Sequence, residues 1–200
     1  MSRPSNLHTA QHGLTIIELL VAMVLAGIMS ITFFTFFNSS FSGYLSLQKD
    51  GSNFTDIAGQ SARIANVLRG LTDIVSDSSD DITCYAYFAP NDKYVSLIHY
   101  YKNATNTQMF ADVTPMTANP PIGSPITTKK KTFLIISSFY QSPSLKTFVY
   151  LDDTGSPLTL PISDEHTIKG IQVNLAATGS DSSNQAISLQ VSLRNRKTNL

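Results

Sequence analysis

Among the side chains able to do chemistry, Glu18 stands apart: it is the only charged residue between Leu14 and Phe37. The run around it, LTIIELLVAMVLAGIMSITFFTFF, is otherwise almost wholly apolar. A carboxylate in such a span costs about 2.5–3.5 kcal/mol at mid-bilayer and less near the edge. Glu18 lies just over one turn from the start of the run, so it reaches toward headgroups at moderate cost. The other reactive groups do not gather into a reaction centre. His99 and His166 have no telling neighbours, and Asp164-Glu165-His166 reads as a turn. Cys84 is the single cysteine, so no internal disulfide forms, and its apolar surroundings make it a buried structural thiol. The run Ser76-Asp77-Ser78-Ser79-Asp80-Asp81 is acidic enough to suggest calcium but reads as a solvated loop. Asp152-Asp153-Thr154-Gly155 turns the chain and lacks the full ligand series of a calcium loop. Without a nucleophile–base pair or a ligand cluster, the expectation is no catalytic residue, no metal and no cofactor.

The elements that must carry these residues follow from the pattern. At about 1.5 Å per residue, a helix over residues 14–37 spans a hydrocarbon core of about 30 Å. Arg3 and the initial amine precede it, and no Lys or Arg follows until Lys49, which places the N-terminus in the cytoplasm and the rest outside. Gly27 costs about 1 kcal/mol relative to Ala inside this helix. Phe33, Phe34, Phe36, Phe37 and Phe41 end the span, either at the outer membrane interface or between subunits. Residues 38–75 continue as an amphipathic helix. Phe54, Ile57, Ser61, Ile64, Leu68 and Leu71 recur at three to four residues and form its apolar face, and Asp50-Gly51 is a point of bending or breaking.

Residues 76–200 read as a strand-rich head domain. Ile82–Ala89 and Tyr94–Lys102 form a hairpin about Pro90-Asn91-Asp92, and Thr107–Val113 is a third strand. An exposed loop follows with Pro115, Pro120, Pro121 and Pro125, closed by Lys129-Lys130-Lys131. That basic spot has two readings: a contact for DNA or an acidic surface, or a charged strand edge. Phe133–Tyr140 and Lys146–Leu151 come next. The last two strands alternate at Ile171, Val173, Leu175 and at Ile187, Leu189, Val191, Leu193, so each has one buried and one wet face. Their buried partner is the amphipathic half of the helix. Arg194-Asn195-Arg196-Lys197 form a basic tail. At 200 residues the chain has room for one membrane helix and one small domain, and with a formal net charge of zero no basic excess points to nucleic acid as the main partner.

The N-terminus matches a known signature. A polar leader ends in Gly13, then come Leu14, Thr15, Ile16, Ile17, Glu18 and LLVAMVLAGIM. This resembles the N-terminus of type IV prepilins and pseudopilins, with Leu14 where the family usually has Phe. The resemblance implies cleavage by a prepilin peptidase after Gly13 and N-methylation of Leu14. It also implies an assembly salt bridge from Glu18 to the N-terminal cation of a neighbouring subunit. Residues 1–13 are then a removed leader, lying before the apolar run, whereas a secretory signal is cut after its apolar region. His8 and His12 fall within it, which removes them as a metal site. The implied fold is α+β and pilin-like, a long N-terminal helix, transmembrane then amphipathic, packed on an antiparallel sheet domain. LIHYYK and the terminal SLRNR are similar to features of PilW-like minor pilins and of J-class pseudopilins of type II secretion. The implied function is a non-enzymatic, minor filament subunit. Its partners are other pilins, the prepilin peptidase, the membrane and, indirectly, the assembly platform with its ATPase. The second expectation is a filament-displayed adhesin or DNA-binding receptor.

Overall fold

The computed structural model describes residues 15–141, 145–179 and 184–194. Its first element, α1, is a helix over Ile16–Arg69. The described residues up to Ser46 form one unit, and the described residues from Leu47 onward form a second. In the first unit every described side chain through Leu45 is exposed, although most are large and apolar. A helix apolar on all sides is not a soluble surface helix.

In the second unit Ile57, Ser61, Ile64 and Leu68 recur on one side of α1 and are buried, with Ala65 and Val67 beside them. The expected apolar face is present except at its start, because Phe54 is 47% exposed. Asp50-Gly51 does not break the helix. One glycine costs only about 1 kcal/mol there, too little to interrupt a long, well-packed element.

The helix expected to run through residue 75 stops at Arg69. The N–H groups of Gly70 and Leu71 donate to Val67 O and Leu68 O, each at 3.1 Å, which tightens the last turn. Thr72 then commits to the sheet: its N–H and its hydroxyl both donate to Tyr85 O, at 2.8 and 3.0 Å. Strand β1, Asp73–Asp77, follows, so the acidic run begins in a strand instead of closing a helix. Ile74 and Val75 are β-branched and favour this state, and Ile74 buries its side chain in the core.

Strands β2 (Ile82–Ala86), β3 (Ser96–Lys102), β4 (Met109–Pro115) and β5 (Lys131–Ile136) complete a five-stranded sheet in sequence order, every pair antiparallel. The expected hairpin joins β2 to β3; Asp92 N–H donates to Ala89 O at 3.1 Å, and Asp92 Oδ2 accepts from Ala89 N–H at 2.9 Å. β6 (Phe148–Leu151), β7 (Gly170–Thr178) and β8 (Asn184–Ser192) make a separate antiparallel sheet, order β6-β7-β8. β8 alternates as expected, with Ala186, Ser188 and Gln190 exposed and Ile187, Leu189 and Val191 turned inward. β7 does not. Asn174 and Ala176, expected on a wet face, are buried. Asn174 Nδ2 donates to Lys146 O at 2.7 Å, and its Oδ1 accepts from the Ser188 hydroxyl at 2.7 Å and Gln172 Nε2 at 2.9 Å. A polar side chain goes inside when its donors and acceptors are used.

One core joins the second half of α1 to both sheets: Ile64 and Leu68 belong to the same buried cluster as Ile98, Tyr100, Val173 and Leu175. The Tyr150 hydroxyl of β6 accepts from Ser78 N–H and donates to Ser78 O, both at 3.1 Å, tying the small sheet to the β1–β2 connection. The architecture is the α+β, pilin-like arrangement expected.

Candidate functional site

The site with the clearest local logic is the first turn of α1. A helix start leaves four N–H groups without intrahelical partners. Here Thr15 immediately precedes the helix, and Glu18 is its third residue. Glu18 Oε2 accepts from the Thr15 N–H and the Thr15 hydroxyl, each at 2.9 Å, while Glu18 N–H donates to Thr15 Oγ1 at 3.3 Å. This reciprocal arrangement is a capping box. It fixes the carboxylate against its own backbone at the edge of an apolar segment. Sequence reasoning singled out Glu18 for its charge and missed Thr15; the Thr-x-x-Glu spacing was the available signal. Gly13 and Leu14, the expected cleavage and methylation positions, lie outside the described residues, as do His8 and His12.

Beyond that turn, the polar atoms of the apolar helix are satisfied internally. The hydroxyls of Ser30, Thr32 and Thr35 donate to Ala26 O, Ile28 O and Ile31 O, at 2.7, 2.9 and 3.1 Å. Such back-bonding hides hydroxyls that would otherwise be costly in lipid. Phe33 stacks on Phe37 and Phe37 on Phe41, both at 6.3 Å between centroids, so three of the five aromatic residues share one side of the helix.

The remaining candidates are dispersed. Cys84 is fully buried, and burial pushes its thiol up to about 12, far from a reactive thiolate. His99 Nε2 lies 3.2 Å from Asp81 Oδ2, and its ring stacks on Tyr101 at 4.8 Å, a packing role. His166 sits in the short 3-10 turn Glu165–Thr167, where the Asp164 side chain accepts from His166 N–H, as expected of a turn. The acidic groups do not converge. Asp77 accepts from Ile162 N–H at 3.2 Å, Asp80 pairs with Lys102 at 3.1 Å, and Asp152 Oδ1 accepts from Thr154 N–H, the Thr154 hydroxyl and Ser156 N–H at 2.7–2.9 Å. Those bonds, the Thr154 hydroxyl foremost, hold the Asp152 carboxyl below its ordinary range. Among the described residues no three His, Cys, Asp or Glu side chains come together as a metal set.

The lysine run divides. Lys130 Nζ lies 2.7 Å from Asp112 Oδ2, and Asp112 Oδ1 also accepts from the Thr132 hydroxyl at 2.6 Å. Burial alone would push the Asp112 carboxyl up, but the bonds from Lys130 and Thr132 outweigh it and hold it below the usual range. Lys131 opens β5, the outer strand of the large sheet, where a charge blunts an exposed edge.

Residues 8–34 match the family described as the Prokaryotic N-terminal methylation motif. The matched stretch takes in Gly13, Leu14, Thr15 and Glu18 together with much of the exposed apolar helix. No curated protein matches the chain. The match and the apolar N-terminal helix fit a membrane-anchored protein of pilin type.

Proposed function

We propose that the chain is a structural, non-enzymatic subunit of a type IV pilus or a type II secretion pseudopilus, and a minor one. A prepilin peptidase hydrolyses the Gly13–Leu14 bond, leaving a carboxylate on Gly13 and an amine on Leu14 that is then methylated. The helix crosses the cytoplasmic membrane with its N-terminus inside, and the head lies outside. On assembly Glu18 pairs with the N-terminal cation of a neighbouring subunit. The observation that carries this reading is a lone carboxylate held in the first turn of an otherwise apolar, exposed helix, within the matched segment. Both bonds from Thr15 fall on Oε2, so capping leaves Oε1 available to an incoming ammonium. A buried pair with both partners present is tolerated, whereas a lone buried charge is strongly destabilising. Minor status draws on the loose likeness of the head to minor pilins.

Intact-mass measurement of the membrane-extracted protein tests the reading. The expected species begins at Leu14 and carries one extra methyl group; a mature chain that still starts at Met1 overturns it. In the same cells Glu18→Ala is expected to insert into the membrane normally and to be largely missing from sheared filaments. Incorporation at the wild-type level removes the assembly role of Glu18.

A further inference from the structure

Two grooves of about 620 and 610 Å³ lie in the second unit and share Phe88 and Ala89 in their walls. Arg63, from α1, lines the first; Lys93, from the β2–β3 hairpin, and Lys129 and Lys131, flanking the start of β5, line the second. Register explains the convergence. Ala86 pairs with Ser96, Ser96 with Pro115, and Val113 with Lys131, so the hairpin and the lysines meet at one end of the large sheet. Among the described residues none of these four cations has a carboxylate within 4 Å. One acid, Asp92, shares the grooves, and it already accepts from Ala89 N–H. The zero net charge of the chain therefore conceals a local concentration of positive charge.

Aromatic rings line both grooves. The Phe88 ring has the Arg63 guanidinium 4.8 Å from its centroid and stacks on the Phe133 ring at 5.0 Å. Tyr87, 40% exposed, lines the first groove; Tyr94 lines the second, with the Lys93 ammonium 5.2 Å from its centroid. Cations and rings that line two adjoining grooves suit a polyanion that also offers flat faces. We propose that this double groove binds single-stranded nucleic acid, its phosphates facing Arg63, Lys93, Lys129 and Lys131 and its bases stacking on Tyr87 and Tyr94. A duplex keeps its base faces enclosed and cannot use the tyrosines. An acidic polypeptide would use the charges and leave the rings idle.

Fluorescence anisotropy of labelled oligothymidylate and oligouridylate with the full chain in non-ionic detergent tests this, the two probes separating DNA from RNA. Wild type is expected to bind, with affinity falling linearly on a log scale as salt rises. Lys129→Gln/Lys131→Gln is expected to reduce that slope by about 1.4, at roughly 0.7 per lost phosphate contact. Tyr87→Ala is expected to weaken binding about five- to hundred-fold. Lys146→Gln, the loss of one positive charge on an exposed residue outside the grooves, is expected to leave the slope as in wild type. Circular dichroism confirms that each variant is folded. Absence of binding, a slope untouched by the double substitution, or displacement by polyglutamate as easily as by oligonucleotide overturns the proposal. None of these readouts needs a filament, so the site can fail while the Leu14 start is found, and the reverse.

Discussion

Asp112 shows how a single side chain can carry an acid sensitivity. Its carboxylate is nearly buried on β4 and is kept ionised by Lys130 and the Thr132 hydroxyl, against the opposing effect of burial. A group whose folded pKa is depressed contributes stability above its unfolded pKa and loses it as pH falls through the folded value. The ordinary aspartate value is about 3.9, so the loss begins near there and continues below it. Thermal unfolding of the detergent-solubilised chain from about pH 5 to about pH 2.5 should show Tm dropping more steeply for wild type than for Asp112→Asn, which has no proton to take up. At this scale the sequence was informative where a residue contradicted its surroundings. Glu18 was legible as one charge in an apolar run. Asp112 was not, because its partners Lys130 and Thr132 come to it only through the pairing of β4 with β5.

The elements were legible where periodicity was local. The spacing of Ile57, Ser61, Ile64 and Leu68 revealed the packed face of α1, and the turn at Pro90-Asn91-Asp92 revealed the β2–β3 hairpin. The end of α1 was misread because Leu71 keeps the spacing of Ile64 and Leu68; Leu68, Leu71 and Ile74 are all buried, but for different reasons. Leu68 packs from a helix and Ile74 from a strand whose partner, β2, lies further along the chain. The wet face expected on β7 failed for a similar reason: Asn174 finds partners on Lys146 and Ser188 that no local pattern announces. Packing along α1 can be tested directly. Ile64→Ala or Leu68→Ala should cost about 2–5 kcal/mol in urea unfolding of the solubilised chain. Phe54→Ala, at a half-exposed position of the same expected face, should cost well below that range. Equal losses at all three positions would contradict the face described.

For the molecule as a whole, the sequence announced the division of labour and not the wiring. An apolar helix followed by a strand-rich domain was evident from composition and order. That the strands divide into a five-stranded and a three-stranded sheet was not, since the break falls between β5 and β6, where the chain shows only one more loop. The lysine run was visible, but its joining to Arg63 and Lys93 was not, because the three sit on separate segments and only the fold brings them together. The two sheets share a core but also a polar tie, Tyr150 to Ser78. Tyr150→Phe keeps the ring and leaves Ser78 N–H and C=O without those partners, at a cost of about 1–3 kcal/mol. Hydrogen exchange should then show faster exchange around Ser78 and in β6 than in β3, the middle strand of the large sheet; uniform acceleration would indicate that the tie does not link the sheets.

The sealed position of Cys84 gives this chain a blank background for thiol chemistry. With its one native thiol shut inside the core and poorly ionised, any cysteine placed on a solvent-facing strand becomes the sole handle for maleimide dyes, spin labels or crosslinkers. Contacts of the head with other proteins can therefore be mapped in living cells without first deleting a native thiol.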